Sequence, residues 1–504
     1  MKTIKNYLLL IGLCLIVGSS CTSNFEEINK NPNQPEYGEI NPANLLQVLT
    51  MNASDRWLIH TYTLNGELIQ YTVSGTSNNA YHRFVIPNTT TAGSWNWYAR
   101  MAATADEMER LAIKRGDVNC EAIAITLKVM FMSNLTDCFG DVPYSEAFGN
   151  INGTKINKPK FDKQRDIYEK LYEQLEYANT LYNTDAAFDS SRDLLYNGDI
   201  SKWRKFNNSL YLRLLMRLSN RDKEFAVSKK IQEIYLNRTK YPVFESNDDN
   251  ATLHFDEVEP FVNYYGSYTQ AAFGSSSRKA CATMIKMMLG PGDPRLPIYY
   301  TQSGGAWEGR VSGLPNAELE TEGKIAYLNY ETLGRYQSPV SFMKYDEVMF
   351  IFCEAIWRGW IPGGETLGEQ YYLDGIKSSI AYWSSIDPAG TDITELTINR
   401  FLNKSPYSHE LETIMNQKYI ALFWTGYEAW HEYRRTGFPS LPIGAATSND
   451  HILPRRFCYP DNTSITNPDN YAEACARLQK DYYGGDDMKT PVWWGKNAIE
   501  RGIE

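Results

Sequence analysis

The sequence predicts a mainly α-helical protein: amphipathic helix pairs as scaffold, with long irregular loop regions forming a ligand face. Three observations carry this expectation. From Pro42 onward apolar residues recur every three or four positions, the spacing of one helix face. The segments come in pairs that repeat at roughly 35–40 residues, the period of a tetratricopeptide-like array. Between about residues 240 and 340, and again over 438–495, Gly, Pro, Ser and Tyr rise and the helical period fades. Long irregular segments of that kind are where binding surfaces concentrate.

The elements follow in order. Asn41 caps a first helix with Pro42 at its opening position and Leu45 and Leu49 on its apolar stripe. A second helix is expected over 94–114, capped by Ser94 and stopped near Gly116. A third, strongly apolar, is expected over 118–136, before Asp137-Cys138-Phe139-Gly140. Asp162 opens the next, with Tyr168, Leu171, Leu175, Ala178 and Tyr182 on one face. Ser201 opens another, with Trp203, Phe206, Leu210, Leu214 and Leu218 in register. Residues 343–358 and 366–385 form a pair joined by a Gly- and Pro-containing turn. Residues 408–436 are helical with a break near Gly426. The strict tetratricopeptide consensus is absent.

The amino terminus divides off from this body. Lys2 and Lys5 precede an apolar run, Tyr7 to Val17, then Gly18-Ser19-Ser20 and Cys21. A basic start, a short apolar stretch and small residues make a secretory signal. The run falls short of the roughly 20 residues a membrane span needs. A cysteine directly after small residues is the lipidation site of a bacterial lipoprotein, so Cys21 is expected to begin the mature chain and carry acyl chains. Two or more such chains, at about 0.8 kcal/mol per buried CH₂, hold a protein firmly to a membrane. The expected organisation is a signal over 1–20, a lipidated polar tether over 21–40, and a single domain over 41–504 with its irregular ligand-face insert at about 240–340.

Composition narrows the function. The net charge of −10 becomes two units more negative once Lys2 and Lys5 leave with the signal, which argues against a nucleic-acid partner. Aromatic residues make up 13%, with 35 Tyr and 12 Trp, a bias shared with carbohydrate-handling proteins. Besides Cys14 and Cys21, six cysteines remain. None lies in a CxxC or at zinc spacing; Cys353 suits a buried apolar helix, and Cys458 and Cys475 are one conceivable pair. Catalytic signatures are missing: His431-Glu432 is followed by Arg435 where a second zinc-binding His belongs, Gly274-Ser275-Ser276-Ser277 lacks a closing Gly, and no phosphate-binding glycine loop occurs. No cofactor is expected. Calcium is the one metal considered, at Glu26-Glu27, Asp248-Asp249 and Asp486-Asp487, but no calcium-loop pattern surrounds them and solvated acids are the better reading.

Several segments together resemble one family. The run Leu135-Thr136-Asp137-Cys138-Phe139-Gly140-Asp141-Val142-Pro143-Tyr144-Ser145-Glu146-Ala147 is similar to a segment of SusD/RagB-type nutrient-binding lipoproteins. So are Lys202 to Leu210 with Arg213 and Arg217, Asp293-Pro294-Arg295, Tyr345 to Gly359 with Glu354-Ala355, Gln417 to Leu422, Glu428-Ala429-Trp430, Arg434-Arg435-Thr436-Gly437, Pro454 to Pro460, and Val492-Trp493-Trp494. Phe25 to Asn33 after Cys21 fits as well. The resemblance, closest to the SusD-like branch, spans nearly the whole mature chain. It implies an outer-membrane lipoprotein of Bacteroidetes-type bacteria: such proteins have four tetratricopeptide-like helix pairs, sit as a lid on a SusC-like TonB-dependent β-barrel, and bind glycans or peptides for import without being enzymes. Glu26-Glu27 is a weak form of the acidic stretch that accompanies display on the cell exterior. The motif residues themselves suit structural work, with Arg213, Arg217, Arg434 and Arg435 bridging helices and Trp203 and Trp430 in the core.

A glycan presents apolar C–H faces and a rim of hydroxyls. Aromatic rings accept the faces, and amides and carboxylates take the hydroxyls, which are costly to leave unpaired. Rings on loops are therefore the candidates: Tyr264, Tyr265 and Tyr268 beside Phe261, Asn263 and Gln270; Trp307 between Gly305 and Gly309; and Trp95 near Asn78, Asn79, Tyr81 and His82. The expected site is an arc in which Tyr264, Tyr265, Tyr268, Trp307 and Trp95 stack on ligand. Competing readings are a peptide-binding member of the same import system, an exported α/α-barrel glycoside hydrolase or lyase, and a purely structural surface protein.

Overall fold

The computed structural model describes residues 40–75, 80–148, 156–318, 324–482 and 484–500. Cys21, Glu26-Glu27, Asn78 and Asn79 lie outside the described residues, as do the signal and nearly all of the tether.

Helix α1 (Ala43–His60) starts as its sequence dictates. The Asn41 side-chain oxygen accepts the Ala43 N–H at 3.0 Å, and the helix buries Leu46, Leu49, Ala53 and Trp57. It runs on into a π-helical turn, Thr61–Asn65. Helix α2 (Asn88–Arg115) begins well before Ser94. Ser94 is not a cap; it is buried, with its hydroxyl 3.0 Å from His60 Nε2 and 3.2 Å from the Tyr427 hydroxyl. Gly116 ends α2 with φ +68°, and Asp117 caps helix α3 (Val118–Phe139) by accepting the Cys120 N–H. So short a link lays the two helices side by side. Helix α3 runs three residues past the expected end. Among the described residues it is the one helix long and apolar enough to cross a membrane, and that stretch is wholly buried within the protein.

Helix α4 (Gln164–Leu181) starts just after Asp162, whose carboxylate instead accepts the N–H groups of Tyr144 and Ser145. Helix α5 (Ile200–Arg217) is capped by Asp199 rather than Ser201. Helices α6 (Val227–Leu236) and α7 (Ala282–Leu289) follow. The pair α8 (Tyr345–Trp357) and α9 (Gly364–Ser385) matches expectation, and α10 (Glu395–Leu402) packs beneath it. Helices α11 (Leu411–Ala421) and α12 (Glu428–Thr436) are separated at Gly426, where φ is +54° and a Cβ would overlap the Trp57 ring. Helix α13 (Pro468–Tyr482) lies in a region expected to be irregular; Tyr471, Ala474 and Leu478 face the main core at helical spacing. The architecture is mainly α, a tetratricopeptide-like scaffold of packed helix pairs.

The loop-rich stretch from 240 to 340 is folded too. Strands β1 (Thr72–Ser74), β3 (Arg278–Ala280), β4 (Tyr300–Thr301) and β5 (Tyr327–Leu328) form a sheet in the order β1-β3-β5-β4, while β2 (Ala251–Leu253) pairs with β6 (Val340–Met343). Both pairings are antiparallel with non-local partners, so no strand is legible from its own few residues.

Buried charges fasten the helices. Arg213 on α5 pairs with Glu347 on α8 at 2.6 Å. Arg217 reaches Asp137 on α3 and both Glu428 and Glu432 on α12. Arg435 on α12 holds Glu354 on α8 at 2.6 Å and Glu432 at 2.7 Å. Burial opposes ionisation of Glu432, but Arg435, Lys418 and Arg217 together outweigh it and hold its carboxyl well below the usual range. These arginines bridge helices, and Trp203 and Trp430 are fully buried, as the sequence pattern implies. Among the described residues the six cysteines are all free thiols.

Candidate functional site

The tyrosine-rich segment after Phe261 is built on Asn263. Its side-chain oxygen accepts the Tyr265 N–H at 2.9 Å, its amide donates to the Ser338 carbonyl at 2.8 Å, and its own N–H donates to the Tyr336 carbonyl at 2.9 Å. Asn263, a candidate partner for ligand hydroxyls on sequence grounds, is thus the buried clamp that ties segment 263–268 to segment 335–338. The two run so close that a Cβ at Gly266 would overlap the Tyr336 ring.

This clamp sorts the tyrosines. Tyr265 is 2% exposed, whereas Tyr264 is 44%, Tyr268 38% and Tyr336 38% exposed. The Tyr265 ring forms the floor. Tyr264 and Tyr268 each stand edge-on to it, at 5.0 and 5.1 Å between centroids. Below, Tyr265 rests on Tyr62 at 4.5 Å and on Phe273 at 5.4 Å. Tyr62 lies in the first π-helical turn and donates its hydroxyl to the Phe273 carbonyl of a second one, Ala271–Ser275. Arg278 covers the other side of Tyr62, 4.6 Å from its ring, and donates to its carbonyl. Irregular helical turns of this sort recur at functional sites. Here two of them brace an aromatic platform whose outer rings face solvent.

The expected arc is therefore redistributed. Tyr264, Tyr265 and Tyr268 come together, but Tyr265 is floor rather than stacking surface. Tyr336 joins them; a Tyr between Gly334 and Pro339 in the same loop-rich stretch is the signal that would have found it. Trp95 is half-buried in another aromatic cluster, against Phe139 at 5.0 Å, Phe161 at 5.9 Å and Tyr459 at 5.9 Å. Packing neighbours occupy that ring, because α2 begins early and carries position 95 into its first turns rather than onto a loop. Trp307 is half-buried against the main core, on a segment pinned by bridges from Ser303 to Ala306 and from Glu308 to Ile325, so the glycines around it do not leave it loose. No ring contact joins Trp95 or Trp307 to the three tyrosines among the described residues. Tyr81 is half-buried, its hydroxyl 3.2 Å from Thr90 Oγ1. Among the described residues no group of three His, Cys, Asp or Glu side chains converges to hold a metal; of the acidic pairs considered, Asp249 binds Lys205 and Asp486 binds Arg456.

The arrangement suits binding by contact: part-exposed rings on a rigid floor. Comparison with known proteins adds a family. Residues 32–460 match the model of a family described as starch-binding and associating with the outer membrane. No curated protein sequence matches the chain. Among solved structures, one described as a chitin-binding protein is 26% identical with a TM-score of 0.77, covering 90% of this chain and 100% of its own. A SusD homologue from Bacteroides fragilis is 24% identical, TM-score 0.74, over 90% and 100% of the two chains. A chitin-binding SusD homologue from Flavobacterium johnsoniae is 22% identical, TM-score 0.71, over 91% and 98%.

Proposed function

Because the chain belongs to the SusD-like family, whose members associate with the outer membrane, we propose that it is a non-catalytic receptor that binds nutrient oligosaccharide and passes it to a SusC-like TonB-dependent transporter. The observation that carries the reading is the platform of Tyr264 and Tyr268 over the buried Tyr265 floor, with the exposed Tyr336 on the adjoining loop against Gly266. Aromatic faces held in place by packing meet sugar C–H faces without the entropy cost of ordering a loop. The family description and the chitin-binding neighbours support glycan as the ligand class. Lipid attachment at Cys21 and display on the cell exterior belong to the same proposal and rest on the signal-like Lys2 to Cys21 sequence and on Glu26-Glu27.

The test is retardation of the protein in native gels containing starch or chitin derivatives, with released sugar assayed in parallel. Retardation without product is expected. Tyr264→Ala, Tyr268→Ala and Tyr336→Ala combined should weaken retention at least roughly tenfold, since each exposed stacking partner contributes on the order of 0.5–1.5 kcal/mol, while helical circular dichroism is unchanged. Retention by the triple variant would remove the platform from the binding site. Release of shortened chains would support a hydrolase or lyase instead.

A further inference from the structure

Beside the platform lies a cavity that no sequence motif marks. The loop carrying Tyr336 also sends Arg335 and Gln337 into a depression of about 370 Å³, closed on its far side by His254 and the end of α9 at Ser385 and Ile386. Those same three residues form one wall of a second depression of about 530 Å³, which continues to Asn197 and Lys202 at the start of α5 and to Asp248. The two cavities are thus one trough, leading from the Tyr336 loop across β2 to α5. Each compartment falls within the roughly 300–1,000 Å³ that takes a small organic ligand.

The lining separates into groups already engaged and groups left open. Asn247 donates to the Ser378 carbonyl and accepts from Ser378 Oγ. Thr252, Ser341 and Tyr382 form a closed hydroxyl chain, with links of 2.7 and 2.8 Å. By contrast, the side chains of Asn197, Lys202, Asp248 and His254 face the trough and make no hydrogen bond or ion pair among the described residues. They provide an amide, an ammonium, a carboxylate and an imidazole, donors and acceptors in balanced number. Charge is balanced as well: Lys202 and Arg335 oppose Asp248 and Glu331, with Arg335 and Glu331 lying 3.8 Å apart as an ion pair. A polyanionic or polycationic chain would meet as many like charges as opposite ones, whereas an uncharged polyhydroxylated chain finds partners for its hydroxyls along the whole length.

We propose that this trough is a second binding compartment continuous with the platform, so that the protein holds an internal stretch of a long neutral glycan rather than a short end. The inference rests on the glycan reading above and extends it from ligand class to ligand length. It is tested by calorimetry on the full chain with maltotriose, maltohexaose, chitotriose and chitohexaose. The hexamer of the recognised series is expected to bind roughly tenfold more tightly than its trimer. The double variant His254→Ala/Asp248→Ala, which changes two exposed side chains, and the blocking variant Ser385→Trp should each erase that advantage and leave trimer affinity as it was, with the circular-dichroism spectrum as the control for folding. Equal affinities for trimer and hexamer, or a length advantage that survives both variants, overturns the trough while leaving the platform standing. If the unaltered chain binds neither series, the glycan reading falls and takes the trough with it.

Discussion

At the scale of single residues, the site turns on which of three near-neighbours in sequence points inward. Tyr264, Tyr265 and Tyr268 are equivalent as letters, and composition alone marks the segment as a candidate. Their roles are set by Asn263, whose three backbone contacts rotate Tyr265 onto Tyr62 and Phe273. Those partners lie far away in the chain, so no local pattern discloses the inward ring. The distinction is measurable. Tyr265→Ala leaves a cavity beneath the platform and should lower unfolding free energy by about 3–5 kcal/mol, as for other buried aromatic truncations. Tyr264→Ala removes a half-exposed ring and should stay within about 0.5 kcal/mol. Chemical denaturation of the two variants reads the difference directly, and equal stabilities would refute the assignment of floor and surface.

At the scale of elements, helices were legible where their apolar stripe faces the common core and a cap or stop is local. Asn41 before α1, Gly116 after α2 and Gly426 between α11 and α12 act where the sequence places them. Two of the misplaced starts share one cause: Ser94 and Asp162 have the chemistry of caps, but each is drawn into a tertiary contact, with His60 and Tyr427 or with the Tyr144–Ser145 turn. Loops are joined by another such contact. The His82 N–H donates to Glu67, and its Nδ1 accepts the Gly313 N–H at 3.0 Å, which ties the turn after β1 to the loop before β5. Burial, with Arg83 and Arg310 nearby, lowers the His82 pKa from 6.5 to about 4. A neutral ring accepts from Gly313; a protonated one would set N–H against N–H. Folded His82 therefore holds fewer protons than unfolded His82 between about pH 4 and 6.5, and its contribution is present above 6.5 and lost as pH falls through 4. The stability difference between the wild type and His82→Gln should shrink by up to about 3 kcal/mol from pH 7 to pH 4. A difference independent of pH would show that the ring titrates normally.

At the scale of the whole molecule, the trough and the platform draw on segments from Asn197 to Ser385, which is why neither appears in any short stretch of sequence, while the scaffold that gathers them does. What makes the scaffold one unit is its closure by the tail. Trp493-Trp494 suits either tail docking or contact with a partner on sequence grounds; the structure buries Trp494 completely. Its Nε1 donates to Asp137 Oδ1 at 2.7 Å, and that carboxylate also takes the Tyr168 hydroxyl and the Arg217 Nε–H. The indole ring in turn meets the guanidinium groups of Arg217 at 5.3 Å and Arg434 at 4.8 Å. One residue near the end of the chain thus completes a charge cluster drawn from α3, α4, α5 and α12. Trp494→Phe keeps a ring over the two arginines but removes a donor from a buried carboxylate, and should cost about 1–3 kcal/mol. Trp494→Ala also leaves a cavity and should cost about 3–5 kcal/mol. Because the main hydrophobic cluster runs from Ala43 to Ala498, that loss should shift the entire denaturation curve, with the far-ultraviolet signal and glycan retention disappearing at the same denaturant concentration. A variant in which the tail detaches early while binding and helical signal hold their wild-type midpoint would show the tail to be an accessory and not the closure of the fold.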